Sequence, residues 1–277
     1  MRKLAIGAAV SGALALTGLA APTALADSPD LTFGAVTVNK GKPIPVGTKA
    51  AVTVPVTYSY TRPDDFEVDN KNSFLGIALY RGALVETDNA IEGAAKSSCT
   101  TTATTDTTVT ESCSTKLTID PRENLFEGAD ATTWKAAAVY TEQAIDEDGS
   151  DDHISFHIGS DVWGNLGTAK LQRISKVTVN ATPEPVVKGR TLTVKGALTR
   201  ADWNTGKYAG YKGQKVTLQF KAKGASTYTD VKTVTSGTGG ALSTTVKASK
   251  DGSYRYKFAG TSTTAAKTSA ADYVDVK

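Results

Sequence analysis

The residues able to do chemistry are few and scattered. The only two histidines, His153 and His157, share one face of an alternating run, with Ile154, Phe156 and Ile158 on the other. Such a pair could begin a metal site, but no third ligand stands near it at a metal-binding spacing. Far more often such a pair is simply a solvated strand face. Two acidic groups offer harder ligands. One is Asp64, Asp65, Glu67 and Asp69 with Asn70 and Asn72, and the other is the tip Asp146–Asp152, which includes Asp148, Asp151 and Asp152. Calcium takes roughly six to eight oxygens, chiefly carboxylates and carbonyls supplied by loops, so both groups are calcium candidates. Gly149 stands fourth in its tip and not sixth, so the tip is no EF-hand loop. The plainer alternative is a pair of solvated loops whose charges discourage edge pairing.

Nucleophilic chemistry has little to work with. Cys99 and Cys113 are the only cysteines. An even count at short spacing in an exported chain favours a disulfide, which leaves no thiol nucleophile. No Gly-x-Ser-x-Gly elbow and no Gly-x-x-x-x-Gly-Lys loop occurs. A Ser–His–Asp set would have to use a histidine beside the acidic tip, a poor support for a rigid base. Acids are plentiful enough for a glycosidase carboxylate pair, so a glycan-active enzyme stays as an alternative. The expectation is a chain without catalysis and without a resident cofactor, calcium apart.

The elements that must position these residues read as strands. Before them, Arg2 and Lys3, the apolar run Leu4–Leu19 and the small-x-small site Ala24–Ala26 read as a cleaved signal peptide over residues 1–26. The apolar run is too short and too rich in small residues for a membrane span, and no cysteine follows it to carry a lipid. The expected location is secreted and extracellular. The mature chain then divides by charge. Residues 27–170 carry 11 basic and 22 acidic residues, and residues 171–277 carry 18 basic and 6 acidic, so a net charge of +3 conceals a strong dipole. Such asymmetry bears on partners. The plain reading is two solubilising surfaces; the sharper ones are that the two halves attract each other, or that the basic half contacts an anionic cell-wall polymer or glycan. No nucleic-acid partner is expected.

In the first module, Thr- and Val-rich runs are expected at 31–38, 50–60, 74–81, 83–87, 114–119, 134–141 and 153–158, separated by Gly, Pro, Asn and Asp. Pro55 suits an edge or a bulge. Residues 88–95 offer one helical turn, and the Thr-rich stretch 100–110 reads as an exposed hairpin or a mobile loop. Asn165–Thr168 reads as a turn, with the boundary between modules in 166–174. Seven more runs follow, at 175–179, 191–197, 215–221, 227–235, 241–247, 253–259 and 272–276, at the spacing of a sandwich. Val216, Leu218 and Phe220 alternate with outward Lys215, Thr217, Gln219 and Lys221, and Tyr254, Tyr256 and Phe258 alternate with Arg255 and Lys257.

The stretch Ala181-Thr-Pro-Glu-Pro-Val-Val-Lys-Gly, Trp203 with Tyr208, Gly210, Tyr211 and Gln214, then Leu218-Gln-Phe and Asp251-Gly, resembles the C-terminal Ig-like module of secreted actinomycete-type proteins. The resemblance covers residues 173–277 most closely. It implies a secreted β-sandwich protein, sometimes labelled calcium-binding, and no catalytic residues. The fold expected is all-β, with two consecutive Ig-like β-sandwich domains at 27–170 and 171–277. Trp203, Tyr208 and Tyr211 either present a sugar-stacking surface or plug the end of the sandwich, as large aromatics tend to. With Arg255 and Lys257 they are the candidate ligand-binding residues of a binding or structural protein.

Overall fold

The computed structural model describes residues 29–69, 73–84, 90–93, 96–147 and 154–277, with backbone alone for 142–147 and 154–160. The expected signal peptide therefore lies outside the described residues, as do Asn70, Asn72, Asp148, Asp151, Asp152 and His153. The chain is all-β and forms two units, each built on two five-stranded sheets as a β-sandwich. The first holds residues up to Ile44 with Val52–Ile119 and Thr133–Lys170. The second holds Leu171–Lys277 together with two loops from earlier in the chain, Pro45–Ala51 and Asp120–Thr132.

The first unit rests on two five-stranded sheets. One contains β1 (Thr32–Phe33), β2 (Thr37–Val38), β4 (Val52–Pro63), β7 (Ser98–Thr104) and β8 (Thr108–Ile119), with β4 at its centre between β8 and the short pair β1 and β2. The other runs β3 (Ile44–Val46), β10 (Ile154–Arg173), β9 (Thr133–Glu147), β5 (Ser73–Tyr80) and β6 (Ala90–Glu92). Alternation explains the burial. Val54, Val56, Tyr58 and Tyr60 on β4 face the same interior as Leu117 and Ile119 on β8, and the polar positions between them face out. Trp134, Leu79 and Ile77 fill the second sheet's inner side. Pro55 is tolerated because β4 is paired only with β8 at that residue, through Lys116; β2 meets β4 one residue later.

Several local expectations needed correction. Ala90–Glu92 is a strand paired with β5, so the helical turn expected over 88–95 does not form there. Ala83 and Leu84 are not strand. Asn165 marks a bulge and not a turn: β10 runs through it, with a register shift between Trp163 and Gly167 and a left-handed φ of 59° at Asn165. The Tyr80 hydroxyl holds this bulge, accepting from the Asn165 amide at 3.1 Å and donating to its side-chain carbonyl at 3.2 Å.

The Thr-rich stretch is the hairpin of β7 and β8. Cys99 and Cys113 stand opposite each other in it and are joined as a disulfide across 14 residues of sequence. Closing that loop restricts the unfolded chain, so the joint change Cys99→Ser, Cys113→Ser is expected to lower stability by about 3 kcal/mol. A urea midpoint unchanged from the native chain would contradict this.

The second unit stacks two more five-stranded sheets. In the first, β13 (Thr191–Asp202) is flanked on one edge by β11 (Ser175–Val177) and β12 (Asn180–Thr182), and it also pairs with β14 (Lys207–Gly210) and β17 (Ala241–Lys247). The second is β16 (Thr229–Thr235), β15 (Lys215–Ala222), β18 (Gly252–Phe258) and β19 (Lys267–Thr268), with β20 (Asp272–Val274) also on β18. Leu192, Val194, Leu198, Val216, Leu218, Tyr256 and Phe258 form the core between them. The buried Tyr256 hydroxyl donates to the Val194 carbonyl at 3.0 Å, tying one sheet to the other, and burial pushes its phenol pKa up to about 12.

Candidate functional site

Trp203, Tyr208 and Tyr211 are brought to the same part of the second unit, but they do not form an open aromatic platform. Trp203 lies in the turn after β13 and is 5% exposed. Its Nε1–H donates to the Gly47 carbonyl at 2.7 Å, and the Arg173 guanidinium lies 5.4 Å from its ring centre. Arg173 is itself buried. Burial first, then the neighbouring Arg200 charge, hold its pKa below the ordinary arginine range. Tyr208, on β14, is half-buried with the Lys176 ammonium 3.6 Å from its ring centre. Tyr211 packs edge-on against Phe258 and carries the Arg200 guanidinium 3.9 Å above its ring. Each of the three rings has one cation of the same unit near it, and of the three only Trp203 is buried.

Arg255 and Lys257 stand elsewhere, on the outer face of the second sheet. Register places Thr217 opposite Lys257, Gln219 opposite Arg255 and Lys221 opposite Ser253, so the outward positions of β15 and β18 form adjoining rows. Lys215, Lys221, Arg255 and Lys257 thus share one surface. From Lys215 to Lys221 the row runs about 20 Å at the usual strand rise. Sequence reading placed Gln219 on this face as a solvated residue, yet it is only 6% exposed. Its Nε2 donates to Asp230 Oδ1 at 2.6 Å, and its Oε1 accepts from Arg255 Nε at 2.8 Å. Tyr228 covers them, with the Arg255 guanidinium 3.6 Å and the Lys221 ammonium 5.3 Å from its ring centre. Tyr228 and Gln219 are the residues of this face that sequence reasoning missed. The outward position of Gln219 was visible, but the cover from Tyr228 and Asp230 depends on the pairing of β16.

Arg255 is thus oriented by two contacts, the hydrogen bond from Nε to Gln219 and the Tyr228 ring against its guanidinium. Tyr273, 44% exposed, adds a second aromatic opposite Ser253. A fixed guanidinium, lysines on flexible stems and tyrosine rims are suited to holding anionic groups by charge and hydrogen bond.

The acidic loops gather no ligand set among the described residues. Asp64 and Asp65 lie in the turn after β4. Asp69 Oδ1 accepts from the Ser73 amide at 2.9 Å and from its hydroxyl at 3.1 Å, bracing the entry to β5. His157 is described only by its backbone, opposite Ala144. No helix among the described residues is long and apolar enough to cross a membrane.

No protein family matches the chain, and no curated protein matches it either. Solved structures do. The full Ig1–Ig3 ectodomain of mouse nectin-like molecule 4 is similar at 13% identity and a TM-score of 0.25, over 89% of this chain and 66% of that one. The fibronectin(III)-like modules of Clostridium thermocellum CbhA are similar at 13% identity and a TM-score of 0.27, over 87% and 92%. A Mobiluncus mulieris adhesin with disulfide, isopeptide and ester cross-links is similar at 14% identity and a TM-score of 0.26, over 82% and 79%.

Proposed function

We propose that this chain is an exported, non-enzymatic binding or structural protein, and that the outer face of β15 and β18 holds an anionic cell-wall polymer or glycan. The observation that supports this is the shared surface of Lys215, Lys221, Arg255 and Lys257, with Arg255 fixed by Gln219 and Tyr228. A sheet face of this kind offers a row of positive charge and no enclosed pocket. It suits a long, repeating, negatively charged ligand better than a small substrate. The two cysteines are joined in a disulfide, which leaves no thiol for nucleophilic chemistry.

Binding by such a face is governed by screening. The full mature chain is expected to co-sediment with purified anionic cell-wall material at about 0.01 M salt, where the Debye length is about 30 Å. It is expected to leave the pellet near 1 M, where that length is about 3 Å. Retention at high salt would point to a different, non-electrostatic mode.

A further inference from the structure

The inner face of β4 departs from its own pattern towards its end. Val54 and Val56 are apolar, but the next three inward positions are Tyr58, Tyr60 and Arg62. The neighbouring strands change in step. Register aligns Tyr60 with Glu111 on β8 and Glu111 with Thr101 on β7, and it aligns Tyr58 with Cys113 and Cys113 with Cys99. Three strands therefore set two rows of polar or sulfur-bearing side chains on a face that elsewhere carries valine, leucine and isoleucine. These rows border a cavity of about 410 Å³, completed by residues that include Glu67, Leu75 and Ser97.

The groups in it are fixed before any ligand arrives. Arg62 Nη2 lies 3.5 Å from Glu111 Oε1, and the two side chains are 12% and 11% exposed. Arg62 Nη1 donates to the Phe66 carbonyl. The Thr101 hydroxyl donates to Glu111 Oε1 at 3.2 Å, so both contacts fall on one carboxylate oxygen and the other is left for a further donor. The Tyr58 hydroxyl donates to Ser97 Oγ at 2.8 Å. Burial first, then the Glu111 carboxylate, push the Tyr60 phenol up to about 12, so it keeps its proton at any physiological pH. The Cys99–Cys113 disulfide ties β7 against β8 and so fixes the wall that carries Cys99 and Thr101. A nearly buried ion pair is a poor way to stabilise a sandwich, because apolar residues of similar volume do as well or better. Its place beside a cavity is then better explained by recognition.

We infer that this cleft binds a neutral saccharide of one or two sugar units. A carboxylate accepts, a guanidinium donates, and phenol and threonine hydroxyls do both, which matches the paired donor and acceptor character of sugar hydroxyls. Arg62 against Glu67 and Glu111 leaves the lining net negative, which disfavours an anionic ligand here and separates this site from the basic face of the second unit. The volume lies at the small end of the range for small-molecule clefts.

Saturation-transfer NMR on the full mature chain tests this with cellobiose, maltose, lactose and diacetylchitobiose as probes. Saturable transfer to at least one of them is expected. Tyr60→Phe and Thr101→Val each keep most of their side-chain volume and remove a hydroxyl, and each is expected to weaken that binding about tenfold, the loss of roughly one hydrogen bond. Melting curves close to that of the native chain would establish that each variant keeps the fold. Absence of saturable transfer from all four probes would overturn the inference, as would binding indifferent to both Tyr60→Phe and Thr101→Val.

Discussion

Trp203→Ala is expected to lower the stability of the second unit by about 3–5 kcal/mol, the usual cost of removing a buried large aromatic. Three losses coincide. Removing the indole leaves a cavity in a buried place. The Gly47 carbonyl loses its 2.7 Å donor, and the buried Arg173 guanidinium loses the ring 5.4 Å beneath it. Arg173 Nε already has no hydrogen-bond partner, so it has little to fall back on. Trp203→Phe keeps an aromatic ring and is expected to cost less. Urea unfolding followed by circular dichroism measures both. A loss under about 1 kcal/mol for Trp203→Ala, the range of exposed substitutions, would return Trp203 to the role of a surface ligand residue.

Gly240→Ala is expected to cost about 2–5 kcal/mol, because two penalties act together. Gly240 has φ 79°, which an L side chain adopts only with strain. A Cβ there would also stand 1.9 Å from the Leu198 carbonyl oxygen and 3.0 Å from the Tyr211 nitrogen. These two atoms are hydrogen-bonded to each other at 2.9 Å, so the methyl group would wedge into the link between β13 and the Tyr211 backbone. Gly189→Ala separates the two penalties. Its φ of 81° is nearly the same, but nothing lies within 4 Å of its Cβ position, and it should cost only about 1–2 kcal/mol. Equal losses at the two positions, measured by thermal unfolding, would mean that the close approach at Gly240 relaxes away.

Much of the second unit was legible because its strands alternate cleanly. Val216, Leu218, Tyr256 and Phe258 were assigned to the inner face from spacing alone, and all are buried. Lys207–Gly210 was missed, because a four-residue strand with a single half-buried residue, Tyr208, carries almost no period. Asn165 read as a turn, since a bulge uses the same left-handed residue that a turn would. The site residues divide in the same way. The basic positions were legible from alternation. The fixing of Arg255 was not, because it depends on Asp230 and Tyr228 brought in by β16. The fate of Trp203 rests on Gly47, 156 residues away, which no local pattern can announce. Arg62 and Glu111 were visible as charges, but only the pairing of β4 with β8 shows that both turn inward.

Calcium binding by either acidic group, the one with Asp64, Asp65, Glu67 and Asp69 or the 146–152 tip, would show as a calcium-dependent rise in melting temperature.

The most direct test of the basic face is co-sedimentation with anionic cell-wall material at low ionic strength, comparing the full mature chain with its Lys215→Glu, Arg255→Glu, Lys257→Glu variant. All three positions lie outside the core of the unit, but Arg255→Glu also takes the donor from the buried Gln219 Oε1, so a melting curve accompanies the assay to establish that the variant is folded. The native chain is expected in the pellet and the variant in the supernatant. A folded variant that still sediments with the wall, or a native chain that never does, would contradict the assignment of that face as the binding surface.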